Sequence, residues 1–181
     1  MPMQQPDPQF LVQGQRLRLQ AFQADDITDA HVGWLNDPVV VRFSNQRFLH
    51  HDAASCQRYL DSFSGSANRF LSIRMATTGE AIGTATAYFA PAHGTVDAGI
   101  LLGERSRWGQ GYGQEAWNLL TGWLLGLPQV RKLTAGAVAG NAPMLRLMEH
   151  SGMHLEAVRR AQEIVDGQPQ DILYYARFSG V

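Results

Sequence analysis

From about residue 15 onward the chain switches between two apolar rhythms. In "RLRLQAF", Leu17, Leu19 and Ala21 alternate with Arg16, Arg18 and Gln20, the period of a half-buried strand. "ADDITDAHVGWLND" predicts a short helix, with Asp25 or Asp26 placed to cap it, Ile27, Val32 and Trp34 as its apolar positions, and Asp37-Pro38 as its stop. "HDAASCQRYLDSF" predicts a second helical piece. "RFLSIRMATTGEAIGTATAYFA" reads as two strands turned at Thr78, Gly79 and Glu80, with Leu71, Ile73 and Met75 sharing one face. "TVDAGILLG" is a strand whose far end is almost wholly apolar, the composition of a central strand covered on both faces.

Beyond it the rhythm becomes helical. Ala116, Leu119, Leu120, Trp123, Leu124 and Leu127 recur at three- and four-residue spacing and predict the main amphipathic helix, ended near Pro128; Trp117 and Trp123 are assigned to its core side. "RKLTAGAVAG" is the next strand, and "NAPMLRLMEHSG" a helix with Asn141 as cap, Pro143 near its first turn and Gly152 at its close. Asp166-Gly167 turns a final hairpin. The sum is an α+β fold, strands first and then β-α-β-α-β-β, with residues 1–14 expected as a loose Pro- and Gln-rich tail and 15–181 as one domain.

Composition narrows the chemistry. At 181 residues, 45% apolar and 17% charged, the chain supports one full core, and no window approaches the roughly 18 apolar residues of a membrane span. A soluble protein is expected, and the start lacks the basic and apolar regions of a secretory signal, which points to the cytoplasm. The single Cys56 excludes an internal disulfide framework and a cysteine-built metal site, in keeping with a reducing compartment. His50 and His51 are adjacent, and His150 and His154 straddle Gly152 without an identifiable third ligand, so no metal is implied. A net charge of −1 supplies no global field for nucleic acid or an anionic membrane, so any anion site is local.

The stretch "SRWGQGYGQEA" carries the strongest local signal. It lacks the Lys-[Ser/Thr] of a phosphate-cradling P-loop, and Gln114 stands where a dinucleotide fingerprint needs its third glycine. Two readings stay open: a tight strand-to-helix turn without ligand, or a loop of bare N–H groups that presents a helix N-terminus to an anion. Glycines suit the second because a β-carbon would hold the anion away from the backbone.

"GILLGERSRWGQGYGQEAWNLLTGWL" followed by "RKLTAGAVAGNAPMLRLMEHSGMHLEAVRR" resembles the GNAT superfamily of acetyl-CoA-dependent N-acetyltransferases, and is most similar to the branch that includes the ribosomal-protein N-terminal alanine acetyltransferases. The resemblance runs over residues 15–178. The superfamily motif Q/R-x-x-G-x-G/A is matched with Trp108 in its first position and Gly111-Tyr112-Gly113 in its last three. It implies a mixed, mostly antiparallel sheet flanked by helices, with acetyl-CoA as co-substrate and an amine as acceptor. It further implies that Gly109, Gln110, Gly111, Tyr112 and Gly113 hold the pyrophosphate at a helix headed by Gln114, with positive charge from Arg105 and Arg107.

Leu101, Leu102 and Gly103 would pair with the pantetheine arm, Asn141 would stand at the cofactor as well as capping its helix, and Arg146 would meet the nucleotide phosphates. For catalysis the resemblance points to Asp97 as the base, against the plainer reading of a strand Asp that pairs or faces solvent. It leaves the general acid unassigned, since Met148 stands where many members carry a tyrosine and Met144 where some carry a serine. Superfamily members build the acceptor pocket in the N-terminal half, which singles out Asn45, Gln46, Arg47, His50 and also His51 of "RFSNQRFLHH", otherwise a solvated loop. The acceptor would be a protein N-terminus, an amino sugar or another small amine. The missing tyrosine also suggests a non-catalytic acyl-CoA-binding regulatory protein. Dimers are common in the superfamily, so a homodimer is one partner the resemblance allows.

Overall fold

The alternation at Leu17, Leu19 and Ala21 becomes strand β2 (Leu17–Ala21), with those three side chains buried and their neighbours half-exposed. This is seen in a computed structural model that describes residues 11–180. Strand β1 (Leu11–Gln13) pairs antiparallel with β2, so residues 11–13 of the expected tail belong to the sheet; the rest of the tail that precedes them lies outside the described residues. β3 (Arg69–Met75), β4 (Ala81–Ala90), β5 (Thr95–Leu102), β6 (Lys132–Val138), β7 (His154–Val165) and β8 (Gln168–Phe178) complete an eight-stranded sheet ordered β1-β2-β3-β4-β5-β6-β8-β7. Every neighbouring pair is antiparallel except β5 and β6. The expected α+β architecture is present, with both predicted hairpins.

The helices are α1 (Asp29–Asn36), α2 (Ala53–Asp61), α3 (Tyr112–Leu125) and α4 (Ala142–His150). The first differs from expectation at its start: Asp25 and Asp26 lie in a separate 3₁₀ turn, and the cap is Thr28, whose hydroxyl accepts from His31 N. Asp26 is drawn off by its own contacts, accepting from Gln23 N and from the Arg74 guanidinium. α2 is capped by Asp52 and α4 by Asn141.

The apolar stripe of α3 lies across the sheet. Trp117, Leu120 and Leu124 are wholly buried against Leu17, Leu19, Leu71, Ile73 and Leu133, and Met148 of α4 closes the same core. The opposite face of the sheet carries a smaller aromatic cluster, Phe22, Phe63 and Phe70, beneath α1 and α2. One expectation fails here. The apolar end of β5 is only half-buried from Gly99 to Leu102: Ile100 and Leu102 pack against the core, whereas Gly99 and Leu101 border open space instead of a second layer.

Candidate active site

β5 and β6 pair over only three rungs, ending at Asp97 opposite Thr134. Beyond that rung β5 continues with β4 as far as Leu102, while β6 continues with β8 as far as Val138, so the sheet splays open. Gly103 N donates to Ile82 O, which fixes the phase of the β4–β5 ladder. Antiparallel alternation then turns the N–H and C=O groups of Ala98, Ile100 and Leu102 away from β4, into the splay. One of them is taken, because Trp108 Nε1 donates to Leu102 O at 2.9 Å.

The strand leads directly to the glycines. Gly109 and Gly111 have φ of 73° and 81°, a left-handed backbone that favours glycine, whereas Gly113 already lies in the first turn of α3. α3 begins at Tyr112 with Gly111 as its cap, two residues before the Gln114 expected to head it. The N–H groups of residues 109–114 have no hydrogen-bond partner among the described residues. Helix-start donors of this kind, together with the positive end of the helix dipole, favour an anion.

A brace that the sequence reading missed holds this loop. Arg16 donates through Nη1 to Gln110 O at 3.0 Å and through Nε to Glu115 at 2.7 Å, and its guanidinium lies 4.3 Å from the Tyr112 ring centre. Glu115 also accepts from Arg16 N and Leu17 N. Burial pushes the Glu115 carboxyl up, but those hydrogen bonds and the Arg16 charge outweigh it and hold the group below its ordinary value. The expected charges are less free than the resemblance implied, for Arg107 pairs with Glu80 at 2.6 Å and Arg105 with Asp37 at 3.3 Å. Gly103 has a packing reason of its own, since a β-carbon there would come within 2.2 Å of the Trp34 ring. Asn141 Oδ1 accepts from Met144 N at the far lip of the splay, and exposed Arg146 precedes Leu147, which faces Gly113.

A cavity of about 390 Å³ opens on the other side of β5, between that strand, β4 and the α1 and α2 segments. Thr84, Thr86, Gly99 and Leu101 form its floor, and His31, His51 and Tyr59 stand in its walls. Burial depresses the pKa of His31, with Asp26 acting against the shift and His51 adding to it. Burial pushes the Tyr59 phenol far up, helped by its 2.6 Å hydrogen bond to the Tyr88 hydroxyl. It also raises the Cys56 thiol, which makes a poor nucleophile.

Of the acceptor residues expected from sequence, Gln46 and His51 line this cavity. Asn45 reaches towards Glu163, and Arg47 donates to Ile164 O at 2.9 Å and pairs with Glu163, so both tie their loop to β7. His50 is exposed, and buried His51 takes the wall position beside it. Asp97 lies outside the cavity lining; its carboxylate accepts from Thr134 Oγ1 at 2.7 Å, which lowers its pKa, but the packing around it raises it more. Met148 is fully buried in the core. His31 escaped notice because its helix reads as ordinary amphipathic pattern, although its place one turn before Trp34 was a signal that it faces inward. Among the described residues, no group of three or more His, Cys, Asp or Glu is arranged to hold a metal ion, and no helix is long and apolar enough to cross a membrane.

The sequence model of one protein family, described as an acetyltransferase (GNAT) domain, matches residues 16–154. No curated protein matches the chain. Among solved structures, a GNAT-family acetyltransferase from Bacillus anthracis is similar with a TM-score of 0.80 at 17% identity, covering 95% of this chain and 100% of that one. The ribosomal L7/L12 α-N-protein acetyltransferase RimL, in complex with coenzyme A, is similar with a TM-score of 0.82 at 15% identity, covering 93% and 98%. Spermidine N-acetyltransferase from Vibrio cholerae, in complex with CoA and spermine, gives a TM-score of 0.81 at 15% identity, covering 91% and 96%.

Proposed function

Because this chain belongs to the acetyltransferase (GNAT) family, we propose that it moves the acetyl group of acetyl-CoA to a primary amine by direct attack in a ternary complex, with the donor in the splay and the acceptor in the cavity beside it. The observation that carries this reading is the presence, at the two ends of one connection, of the open splay edge of β5 and the free N–H groups of residues 109–114. These groups fit the donor: strand edges hydrogen-bond an amide-bearing arm, and a helix N-terminus with bare glycines receives a diphosphate.

When bound, acetyl-CoA supplies a thioester that an amine can attack. The chain's own residues do the rest. Residues 109–113 hold the diphosphate, with Arg16 fixing their shape from below. Arg107 and Arg146 set local positive charge, Leu101, Leu102 and Gly103 carry the strand that aligns the arm, and Trp108 closes its end. Asn141 holds the opposite lip, and the Asp97–Thr134 contact fixes where the splay begins. Most of the acceleration comes from positioning, which can supply about 7–11 kcal/mol of a barrier. Asp97 remains the base on one reading of the proton path, favoured by its basic carboxylate on the cavity-side face of the last rung. The acceptor is a protein N-terminus, an amino sugar or another small amine, and the single cysteine fits a cytoplasmic enzyme.

The second reading, a non-catalytic acyl-CoA-binding regulator, draws on Met148 buried in the core where a hydroxyl would otherwise deliver a proton. Thiol release from acetyl-CoA over a panel of amines separates the two. Turnover with one class of amine is the expected result; tight CoA binding with no thiol released for any acceptor would establish the regulator instead.

A further inference from the structure

An amine acceptor arrives as an ammonium ion and must lose a proton before its nitrogen can attack. Two side chains in the cavity wall are built for that task. His31 and His51 are 4% and 8% exposed, and no ring nitrogen of either makes a hydrogen bond among the described residues. His31 Nδ1 and His51 Nε2 are sealed from solvent without a partner, which leaves His31 Nε2 and His51 Nδ1 as the nitrogens open to a ligand. Each ring thus keeps one further nitrogen that no protein group satisfies, on a side chain that lines the cavity, where a hydrogen-bonding occupant can meet it.

The pair is held deliberately in place. Thr28 caps the helix that carries His31. The Asn36 side chain grips the His51 backbone twice, accepting from its N–H at 2.9 Å and donating to its carbonyl at 2.8 Å. The rings of Phe22, Trp34 and Phe70 frame His31 at 4.9, 6.0 and 6.4 Å. Of the titratable groups around it, Asp26 from the 3₁₀ turn faces His31 while paired to Arg74 of β3. Cys56 and Tyr59 of α2 stay neutral because burial pushes both up. No Asp, Glu, Lys or Arg lines the cavity.

We propose that His31 and His51 form the acceptor subsite, His31 taking the proton of the substrate's ammonium through Nε2 and His51 orienting the amino group, and that the cavity selects primary monoamines whose remainder is uncharged. This rests on the acetyltransferase reading. One N–H bond of the ammonium breaks and its proton moves to the imidazole, freeing the nitrogen lone pair. That pair forms the new C–N bond with the acetyl carbonyl carbon as the C–S bond breaks; the second proton lost from nitrogen ends on the departing sulfur, and His31 returns its proton to water. Burial keeps the imidazole neutral at neutral pH, and Asp26 stabilises the imidazolium once formed. A second ammonium on the acceptor would be stripped of water against a wall without a carboxylate, so polyamines are excluded.

The test uses the full chain, acetyl-CoA, and benzylamine, alaninamide, glucosamine and spermidine as acceptors. The best monoamine should exceed spermidine by about tenfold or more in kcat/KM. His31→Gln should lower kcat by about a hundredfold and flatten the acid limb of the pH profile, whereas His51→Gln should raise KM for the amine and leave KM for acetyl-CoA alone. His93→Gln, on the exposed turn before β5, should match the parent chain. Variants whose melting temperature CoA still raises are folded, and a failure of CoA to raise that of the parent chain would sink the acetyltransferase reading itself. With CoA bound, parent-like pH profiles in both histidine variants, a preference for spermidine, or an acid limb lost in Asp97→Asn but kept in His31→Gln each overturns the proposal. If no amine releases thiol, NMR titration of the His31 ring decides: a midpoint that amine does not move overturns it, and one that it moves supports it.

Discussion

Gly111 concentrates the residue-scale argument. Its φ of 81° lies in the region where a β-carbon meets the following carbonyl, at a cost of about 1–2 kcal/mol, and the added carbon would stand 3.4 Å from Arg16 Nη2. Gly111→Ala therefore strains the loop and crowds its brace at once. The expected outcome is a modest fall in melting temperature with a larger fall in CoA affinity, measured by calorimetric titration. An affinity unchanged from the parent would mean that this loop does not approach the diphosphate. Gly103, by contrast, is glycine because Trp34 occupies the space, so the glycine that follows β5 and the glycine that caps α3 answer to different constraints.

At the scale of elements, the start of α3 is tied to the start of β2 by the hydrogen bonds that Glu115 accepts from Arg16 and Leu17. The folded pKa of Glu115 lies below its ordinary value of 4.5. Its contribution is thus fully present above that value and is lost as pH falls through the lower folded value. Removing it by Glu115→Ala should cost about 1.5–3 kcal/mol at neutral pH, and the gap in melting temperature between parent and variant should narrow as the solution is acidified below pH 4.5. A gap that stays constant down to pH 3 would show that the charge contributes nothing. Because the same Arg16 holds Gln110 O, the variant should also weaken CoA binding, linking the stability of the element to the shape of the loop.

For the molecule as a whole, the parallel pair β5–β6 is the feature on which the proposed function depends, because there the sheet leaves a strand edge open in its interior. A ligand bound along that edge and at α3 joins the two halves of the sheet. At a hundred times its Kd, CoA should add about 2.7 kcal/mol, equivalent to roughly 5–10 °C in melting temperature for a chain of this size. No shift at saturating CoA would refute the donor site.

Local chemistry made much of this legible in advance. Periodicity together with turn and cap residues located β2 through β8 and all four helices, since spacing reports which face is buried and turn and cap residues mark where an element ends. The glycines announced a left-handed loop before α3 because their conformational freedom is a local property. Helix starts were less legible: Asp26 was spent on Arg74, a strand more than forty residues away, and Thr28 became the cap. The acceptor side was least legible, for Arg47 and Asn45 are polar in the way a binding residue is polar, yet they serve to pin β7.

What the sequence determined by itself was the order of elements and the glycine loop before α3, both written in neighbouring residues. What only the tertiary structure decided was the splay, the Arg16 brace and the meeting of His31 with His51, twenty residues apart in the chain. Each of these depends on which strand edges and helix faces come together across the fold, and burial and unpaired hydrogen-bonding groups arise from that packing, with no signature in the local pattern of apolar and polar positions.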